Sequence, residues 1–228
     1  MSTAHHYIRE DNTVVEVCTT DIDDGDFHVN SDSVELTERR AAIMAGPWAV
    51  AMQVHGARVV EADPVTTPEA DALITSTVGQ PIGVQGADCA PLAFITDRGP
   101  IAVAHAGWRG LASGVIGETV DRLHQGGGQV QCVVVGPVIG PECYEFGAED
   151  LDLVAALLGD DVRSITSTRS PALDLRAAIT GACASSGVVD VRFIAGCTGC
   201  EDAGFSHRAR GDRERHALVA RILPRGTS

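Results

Sequence analysis

The central third of the sequence consists of short apolar runs that end in polar residues, and this rhythm limits the chain to folds built from several short strands. The runs PIGVQGADC, PLAFIT and IAVAHAGWRG follow one another between residues 81 and 110. Glycine, proline and polar residues separate them, as is typical of strands joined by turns. We expect strands over 91–96 and from 101 to His105, with reactive side chains where strands end.

The rest of the chain alternates imperfectly between strand and helix patterns. This alternation favours an α+β class, with a mixed sheet and helices outside it, over a doubly wound parallel sheet. No repeat or linker divides the chain, which predicts a single domain over residues 1–228. The predicted strands are 13–17, 49–60 with an interruption at Gly56, 131–140, 162–166 and 191–196, and the predicted helices are 35–45, 111–124, 149–158, 173–185 and 213–223.

Charge excludes several classes of partner. Aspartate and glutamate number 31 against 17 basic residues, which gives a net charge of −14. Nucleic acids and anionic membranes need a cationic face, so neither is expected as a partner. Every basic residue is an arginine, which rules out lysine chemistry such as a Schiff base. An anionic ligand must therefore meet arginine, backbone N–H groups or a metal.

The beginning of the chain and its cysteines suggest a cellular compartment. The first residues carry charges where a signal peptide needs an apolar stretch, and no run approaches the ~18 apolar residues of a membrane span. The seven cysteines are an odd number in a chain without an export signal, which favours free thiols, metal ligands or a nucleophile. We expect a cytoplasmic protein, and its oligomeric state is left open.

His55, Cys89 and His105 form the first candidate set for chemistry. Each lies at a glycine-flanked end of a predicted strand. Imidazole and thiolate both bind zinc, and catalytic zinc sites commonly have three protein ligands and an open fourth position. Spacing alone does not distinguish such a site from two ordinary histidines and a buried thiol.

Longer segments carry a family resemblance. QVHGARVV, GADCAPLAF, AHAGWRGL, GPVIGPECYEF and CTGCEDAGFSHRARG occur in this order. Together they resemble the YfiH family, also called laccase-domain or multicopper polyphenol oxidase-like proteins, whose mammalian member is FAMIN. The resemblance extends from about Val14 to the predicted terminal helix. The combination of Q-V-H, A-D-C and A-H-A-G-W-R-G is its most specific part.

The resemblance implies a four-layer α/β/β/α sandwich with mixed sheets and a zinc centre held by His55, Cys89 and His105. It also implies purine nucleoside phosphorylase activity, in which adenosine, inosine, guanosine or methylthioadenosine reacts with phosphate to give the base and ribose 1-phosphate. Adenosine deaminase activity is attributed to the same pocket, and zinc suits it because the metal lowers the pKa of bound water to about 7. The name peptidoglycan editing factor, also used in the family, implies a different reaction.

Phosphorolysis needs cationic groups at the anion, and arginine must provide them here. Arg109 lies in the G-W-R-G turn, where backbone N–H groups also gather, although it could instead only hold that turn. Arg39 resembles an arginine of the family that follows the N-terminal loop. Arg208 and Arg215 resemble arginines near its F-S-x-R segment.

Two polar residues complete the predicted site. Asp88 could orient a ligand or act as an acid or base, and it could equally cap a turn through its carboxylate. Gln53 is expected on one strand face with His55, where it could donate to a purine edge or be a buried, satisfied amide. The segment around Cys143 and Tyr144 is interpreted mainly as a tight turn entering a strand, with a possible role in lining the pocket.

The chain departs from the family pattern at three positions. Thr20 stands where arginine is usual, Glu38 precedes Arg39 in place of asparagine, and Glu214 precedes Arg215 in place of glycine. The departures affect the substrate contacts that the resemblance implies for the N-terminal region, and with them the binding of phosphate.

Three other hypotheses remain. A cysteine hydrolase or amidase acting on peptidoglycan precursors would use Cys89 as nucleophile and His105 as base. Copper is disfavoured as the cofactor because none of the eight histidines forms the His-x-His pairs of multicopper oxidases. The third hypothesis is a module without catalytic activity that stores a metal or binds a partner. Cys197 and Cys200 form a single C-x-x-C pair, which we interpret as structural.

Overall fold

The computed structural model describes residues 2–31, 33–200 and 204–224. Within these ranges the chain forms twelve strands and six α-helices. The strands are β1 Thr3–Ile8, β2 Val14–Thr19, β3 Val59–Glu61, β4 Ala72–Thr75, β5 Ile82–Gly86, β6 Ala90–Thr96, β7 Ile101–Ala106, β8 Val130–Val135, β9 Arg163–Ile165, β10 Pro171–Leu173, β11 Val191–Phe193 and β12 His216–Ile222. The helices are α1 Ser33–Ile43, α2 Trp108–Ala112, α3 Val115–Gln125, α4 Ala148–Leu158, α5 Leu175–Ser185 and α6 His207–Arg210.

The largest sheet has six strands in the order β11-β8-β6-β7-β4-β3. It is mixed, because β11 with β8 and β3 with β4 pair in parallel while the central pairs are antiparallel. Its central strands β6 and β7 are buried along their whole length, so both faces of the sheet must be covered. Apolar residues of α2, α3, α4 and α5 pack on one face.

A second, antiparallel sheet has the order β1-β2-β12-β5 and packs on the other face of the six-stranded sheet. Side chains such as Leu218 and Ile82 from the small sheet meet Val103 and Val134 from the large one in a buried cluster. The outer face of the small sheet is covered by Leu36 and neighbouring apolar residues around α1. The order helix, sheet, sheet, helix confirms the predicted α/β/β/α sandwich.

The predicted strand from Ala49 to Val60 is wrong. Only Val59–Glu61 is a strand there, and isolated bridges at Ala49 and Met52 are the remaining pairings of the segment. Backbone N–H groups of residues 54, 55 and 56 donate to the carboxylate of Asp71 instead of to a neighbouring strand. A side chain from a distant segment therefore replaces the sheet ladder.

The predicted terminal helix over 213–223 is also wrong. His216–Ile222 is the strand β12, which pairs with β2 on one side and β5 on the other. Nearly all of its residues are buried, and a run buried on both faces shows neither strand nor helix periodicity.

The predicted helix over 111–124 is divided into two. Gly114 adopts a φ of 86° between α2 and α3, which a continuous α-helix does not allow. The other predicted helices agree with α1, α4 and α5 within a few residues. Of the CTGCEDAGFSHRARG segment, residues 201–203 lie outside the described residues, as do the two termini of the predicted domain. No helix in the described part of the chain is long and apolar enough to cross a membrane.

Candidate active site

His55, Cys89 and His105 meet at one end of the six-stranded sheet. Their donor atoms lie within 4.8 Å of one another, with 4.0 Å between Cys89 Sγ and His55 Nε2. The two imidazole rings are 4.8 Å apart between centroids and nearly perpendicular. His105 comes from β7, Cys89 directly precedes β6, and His55 comes from the irregular segment before β3. The sheet therefore brings together three donors that are distant in sequence.

Asp71 organises this cluster, although sequence analysis did not single it out. Its carboxylate is fully buried and lies 2.9 Å from His105 Nδ1. The same carboxylate accepts the backbone N–H of His55 at 2.9 Å and that of Gly56 at 2.7 Å. A carboxylate on one nitrogen of a histidine directs the other nitrogen toward a metal and fixes its tautomer. The only signal in the sequence was a single acidic residue in front of an apolar strand.

Electrostatics favour charge separation within the cluster. Burial opposes ionisation of Cys89, but hydrogen bonds from His105 and His55 outweigh it and lower the pKa of this thiol to about 6. Burial likewise opposes the charged form of His105, but Asp71 and Cys89 raise its pKa to about 9. Burial also acts against ionised Asp71, whose pKa is nevertheless lowered by His105 and by backbone N–H groups. The cluster therefore supplies a thiolate, which is the form that binds a metal or attacks an electrophile.

The backbone around the donors is shaped for this arrangement. A Cβ on Gly107 would lie 2.7 Å from Cys89 Sγ and 3.2 Å from a ring carbon of His55, so only glycine fits there. His55 has a φ of 59° and Asp88 a φ of 97°, both in the left-handed region that non-glycine residues rarely adopt. Strain of this kind concentrates at functional sites.

A cavity of about 550 Å³ opens beside the three donors. Its volume lies within the usual range for small-molecule sites. Met52, 47% exposed, and Trp108 give it apolar surface. Tyr144 also lines it, and burial, with a smaller contribution from Cys89, raises the pKa of that phenol to about 12. Tyr144 is therefore a neutral hydroxyl at physiological pH.

Three arginines line the same cavity: Arg109, Arg208 and Arg215. Within the described ranges none of their guanidinium groups forms an ion pair with a carboxylate. Arg109 lies over the ring of Trp108 at 4.2 Å, and Arg208 lies over Tyr144 at 4.8 Å. Arg208 also donates to the Glu145 carbonyl, and Arg215 donates to main-chain carbonyls. In a chain of net charge −14, this is a locally cationic pocket that suits an anion.

Asp88 lines the cavity, but its carboxylate holds the C-terminal segment in place. It accepts hydrogen bonds from Thr198 and Ser206 hydroxyls at 2.7 and 2.6 Å and from the Arg208 backbone N–H at 2.6 Å. These contacts position the turn on which Arg208 lies.

Gln53 and Arg39 are placed differently from the sequence expectation. Gln53 lines the cavity, but both ends of its amide bond the backbone of Gln85, and no strand face joins it to His55. Arg39 does not line the cavity. It forms an ion pair with Glu35 at 2.5 Å and donates to the Asp26 carbonyl. The structure thus brings together all the predicted site residues except Arg39.

Comparisons with known proteins show the family of this chain. Residues 17–222 match the family described as multi-copper polyphenol oxidoreductase laccase. The chain belongs to this family. Its fold also matches the YfiH-like expectation: a Neisseria meningitidis protein, NMB0706, has a TM-score of 0.80 at 24% identity, covering 98% of this chain and 99% of that one. The Bacillus licheniformis protein YfiH has a TM-score of 0.77 at 22% identity, covering 94% of each chain.

Relatives in this family are named purine nucleoside phosphorylases. The protein of that name from Pseudomonas aeruginosa is 41% identical over 59% of this chain and 54% of its own length, so the match spans about half of that relative. The Geobacillus stearothermophilus protein YlmD, also so named, is 32% identical over 80% of this chain and 76% of its own length. The crystal structure of YlmD has a TM-score of 0.77, covering 93% of this chain and 92% of that one.

Proposed function

We propose that this chain is a metal-dependent purine nucleoside phosphorylase acting on adenosine, inosine, guanosine or methylthioadenosine. One observation carries the proposal: a single cavity joins three side chains that could hold a metal ion to three arginines that form no ion pair with a carboxylate of the described residues. The names of the relatives support the same reaction. Its partners are small molecules, and the free thiols of the chain suit a cytoplasmic enzyme.

The reaction exchanges one bond at the anomeric carbon. The bond from purine N9 to ribose C1′ breaks, a phosphate oxygen forms a new bond to C1′, and the departing purine takes up a proton. The products are the free base and ribose 1-phosphate, or methylthioribose 1-phosphate when methylthioadenosine is the substrate. The enzyme must hold an anion beside C1′ and stabilise charge on the leaving base in a site shielded from water.

The metal in this proposal is zinc, with copper as the less favoured alternative. His55, Cys89 and His105 fit zinc because they offer two imidazole nitrogens and one thiolate, and because Asp71 leaves His105 Nε2 as the free donor. These three residues would hold a zinc ion, which would supply positive charge and Lewis acidity next to the bound nucleoside.

The chain's own residues bind and orient the substrates. Arg109 and Arg208 bind phosphate, because they line the cavity, form no ion pair with a carboxylate of the described residues, and can make strong charge-assisted bonds to an anion. Met52 and Trp108 cover the apolar faces of the base. Asp88 acts as a positioning residue, because its carboxylate holds the backbone of Arg208 at 2.6 Å.

Adenosine deaminase activity is a further part of the proposal. Water would replace the amino group at purine C6, giving inosine and ammonia. The same cavity would bind the nucleoside, and the nearby metal site suits hydrolysis.

A product assay tests both activities. Zinc-loaded protein is incubated with inosine or adenosine, with and without phosphate, and the products are separated chromatographically. Ribose 1-phosphate that forms only with phosphate supports phosphorolysis, and inosine formed from adenosine without phosphate supports deamination. If neither product forms, the proposed function is wrong. Cys132→Ser, which changes a buried thiol outside the cavity, is the control for handling of the protein.

A cysteine hydrolase remains the second candidate, and one observation favours it. Cys89, His105 and Asp71 form a Cys-His-Asp arrangement in which a lowered thiol pKa accompanies a raised imidazole pKa. In this hypothesis Cys89 attacks an amide of a peptidoglycan precursor and His105 transfers the proton to the leaving amine. Cleavage of such an amide that survives removal of all metal by a chelator, together with covalent labelling of Cys89, would favour the cysteine hydrolase over the phosphorylase.

A further inference from the structure

A second group of metal-binding side chains lies outside the cavity. It consists of Glu142, Cys143, Cys197 and Cys200, and we name it the closed cluster. One carboxylate oxygen and three sulfur atoms lie within 4.8 Å of one another. None of these four residues lines the 550 Å³ cavity. The function proposed above does not use them.

Backbone contacts hold the four side chains together. Val138 and Cys197 form a parallel bridge, which sets the segment before Glu142 beside the C-x-x-C pair. The N–H of Cys200 donates to the Cys197 carbonyl, closing a turn that brings both thiols of the pair to one side. The thiol of Cys200 lies 3.5 Å from a carboxylate oxygen of Glu142. Two turns distant in sequence thus present their donors to one point.

The chemistry of the donors selects a class of ion. Zinc binds both thiolate and carboxylate ligands, and structural zinc sites are closed by four protein donors, the number present here. Magnesium and calcium prefer all-oxygen surroundings and are disfavoured here. The backbone N–H of Gly140 donates to Cys197 Sγ at 3.0 Å, and N–H groups directed at sulfur stabilise thiolate ligands in metal centres.

All seven cysteines are free thiols. The three sulfur atoms of the closed cluster are therefore not used up in a disulfide and can serve as ligands, in the deprotonated form that a metal ion favours.

We propose that Glu142, Cys143, Cys197 and Cys200 bind a second, structural zinc ion. This ion ties the turn after β8 to Cys197 and Cys200. Thr198, between these two cysteines, and Ser206, which precedes α6, bond Asp88 through their hydroxyls, and Arg208 lies on α6. The second ion therefore stabilises one wall of the cavity without touching substrate.

Metal content of purified variants tests this proposal independently of activity. The full chain is stripped with a chelator, reloaded with zinc under reducing conditions, freed of excess metal and analysed for zinc per chain. The measured quantity is the zinc content per chain. We expect the wild type to hold one zinc ion per chain more than Cys200→Ser. Cys132→Ser, a buried thiol in neither cluster, is expected to lose none. Equal zinc content in the wild type and Cys200→Ser would overturn the proposal.

Cobalt spectroscopy keeps the proposal testable if Cys200→Ser does not fold. In Cys89→Ala the group formed with His55 and His105 has lost its only sulfur, so sulfur-to-cobalt charge-transfer bands must come from the closed cluster. We expect strong bands in this variant, together with the absorption of tetrahedral cobalt. Their absence would contradict a thiolate-rich site. An intact mass about 2 Da below the reduced value, showing a disulfide in the protein as purified, would also overturn it.

Discussion

The two groups of metal-binding side chains differ in their surroundings more than in their donor types. His55, Cys89 and His105 form a three-donor group, the open cluster, which borders a cavity lined by arginines. The closed cluster has four donors and borders no part of that cavity. An ion with three protein ligands keeps a position for substrate, whereas four protein ligands complete the coordination of zinc. The number of donors and the adjacent space are therefore the basis on which we propose a catalytic role for the open cluster and a structural role for the closed cluster.

The largest predicted effect comes from removing a donor of the open cluster. Cys89→Ala should lower phosphorolysis by about 10³-fold or more, because the charge stabilisation that a metal provides is worth several kcal/mol. The rate of ribose 1-phosphate formation measures it. Cys200→Ser removes a thiol from the closed cluster, which touches no substrate, so its effect should be on stability. The rate of the folded variant, measured well below its unfolding temperature, should stay within about threefold. Equal losses in both variants would remove the distinction between the clusters.

Acid should weaken the fold on the side of the open cluster. His216 pairs with Gly86, on the strand that precedes the turn of Cys89. Burial lowers the pKa of His216 to about 4, against the opposing effects of the Pro137 backbone and Asp88. The unfolded chain takes up this proton near pH 6.5 but the folded chain does so only near pH 4, so the stability that depends on neutral His216 is fully present above pH 6.5. It should decrease by on the order of 3 kcal/mol as the pH falls to about 4.

Chemical denaturation at several pH values measures this effect. His216→Gln should lose that part of the pH dependence, whereas His124→Gln, which changes an exposed histidine on α3, should retain it. An unchanged pH profile in His216→Gln would show that another group is responsible.

The contribution of Asp71 tests whether the open cluster depends on its support. Asp71→Asn should weaken zinc binding by about 10- to 100-fold, because an amide cannot replace a carboxylate that orients His105 and accepts several backbone N–H groups. Competition with a chelator measures the affinity. Asp97→Asn, a buried aspartate that bonds Gln129 elsewhere, should reduce stability but leave zinc affinity unchanged. A similar loss of affinity in both variants would assign the effect to general destabilisation.

The smallest predicted difference concerns two arginines. Arg208→Gln should raise the KM for phosphate by about 10-fold, the value of one charge-assisted hydrogen bond. Arg39→Gln should change it by less than about threefold, because this guanidinium is paired with Glu35 outside the cavity. Steady-state kinetics with varied phosphate decide between them. A larger effect from Arg39 would support the role that its resemblance to the family implied.

Much of the fold could be predicted because its central strands are short, apolar and bounded by turn residues. Prediction failed where the backbone depends on distant partners. The segment 49–60 is irregular because Asp71 accepts hydrogen bonds from three of its backbone N–H groups, and no local sequence pattern indicates this. The strand β12 lies between two others and is buried on both faces, so its alternation is hidden.

The candidate site shows the same division. His55, Cys89 and His105 could be named because they lie within specific motifs. Asp71 could not, since one acidic residue before a strand has no distinctive pattern. The closed cluster was also missed, because a single C-x-x-C pair is weak without knowledge that Glu142 and Cys143 fold against it.

Anomalous diffraction at the zinc edge tests the contrast between the clusters most directly. Crystals of the reduced, zinc-loaded chain should show one ion bonded to His55, Cys89 and His105, with a fourth ligand that is not a protein side chain and faces the cavity. A second ion should be enclosed by Glu142, Cys143, Cys197 and Cys200. Absence of an ion among the first three donors, or a fourth protein side chain closing that site, would contradict the account.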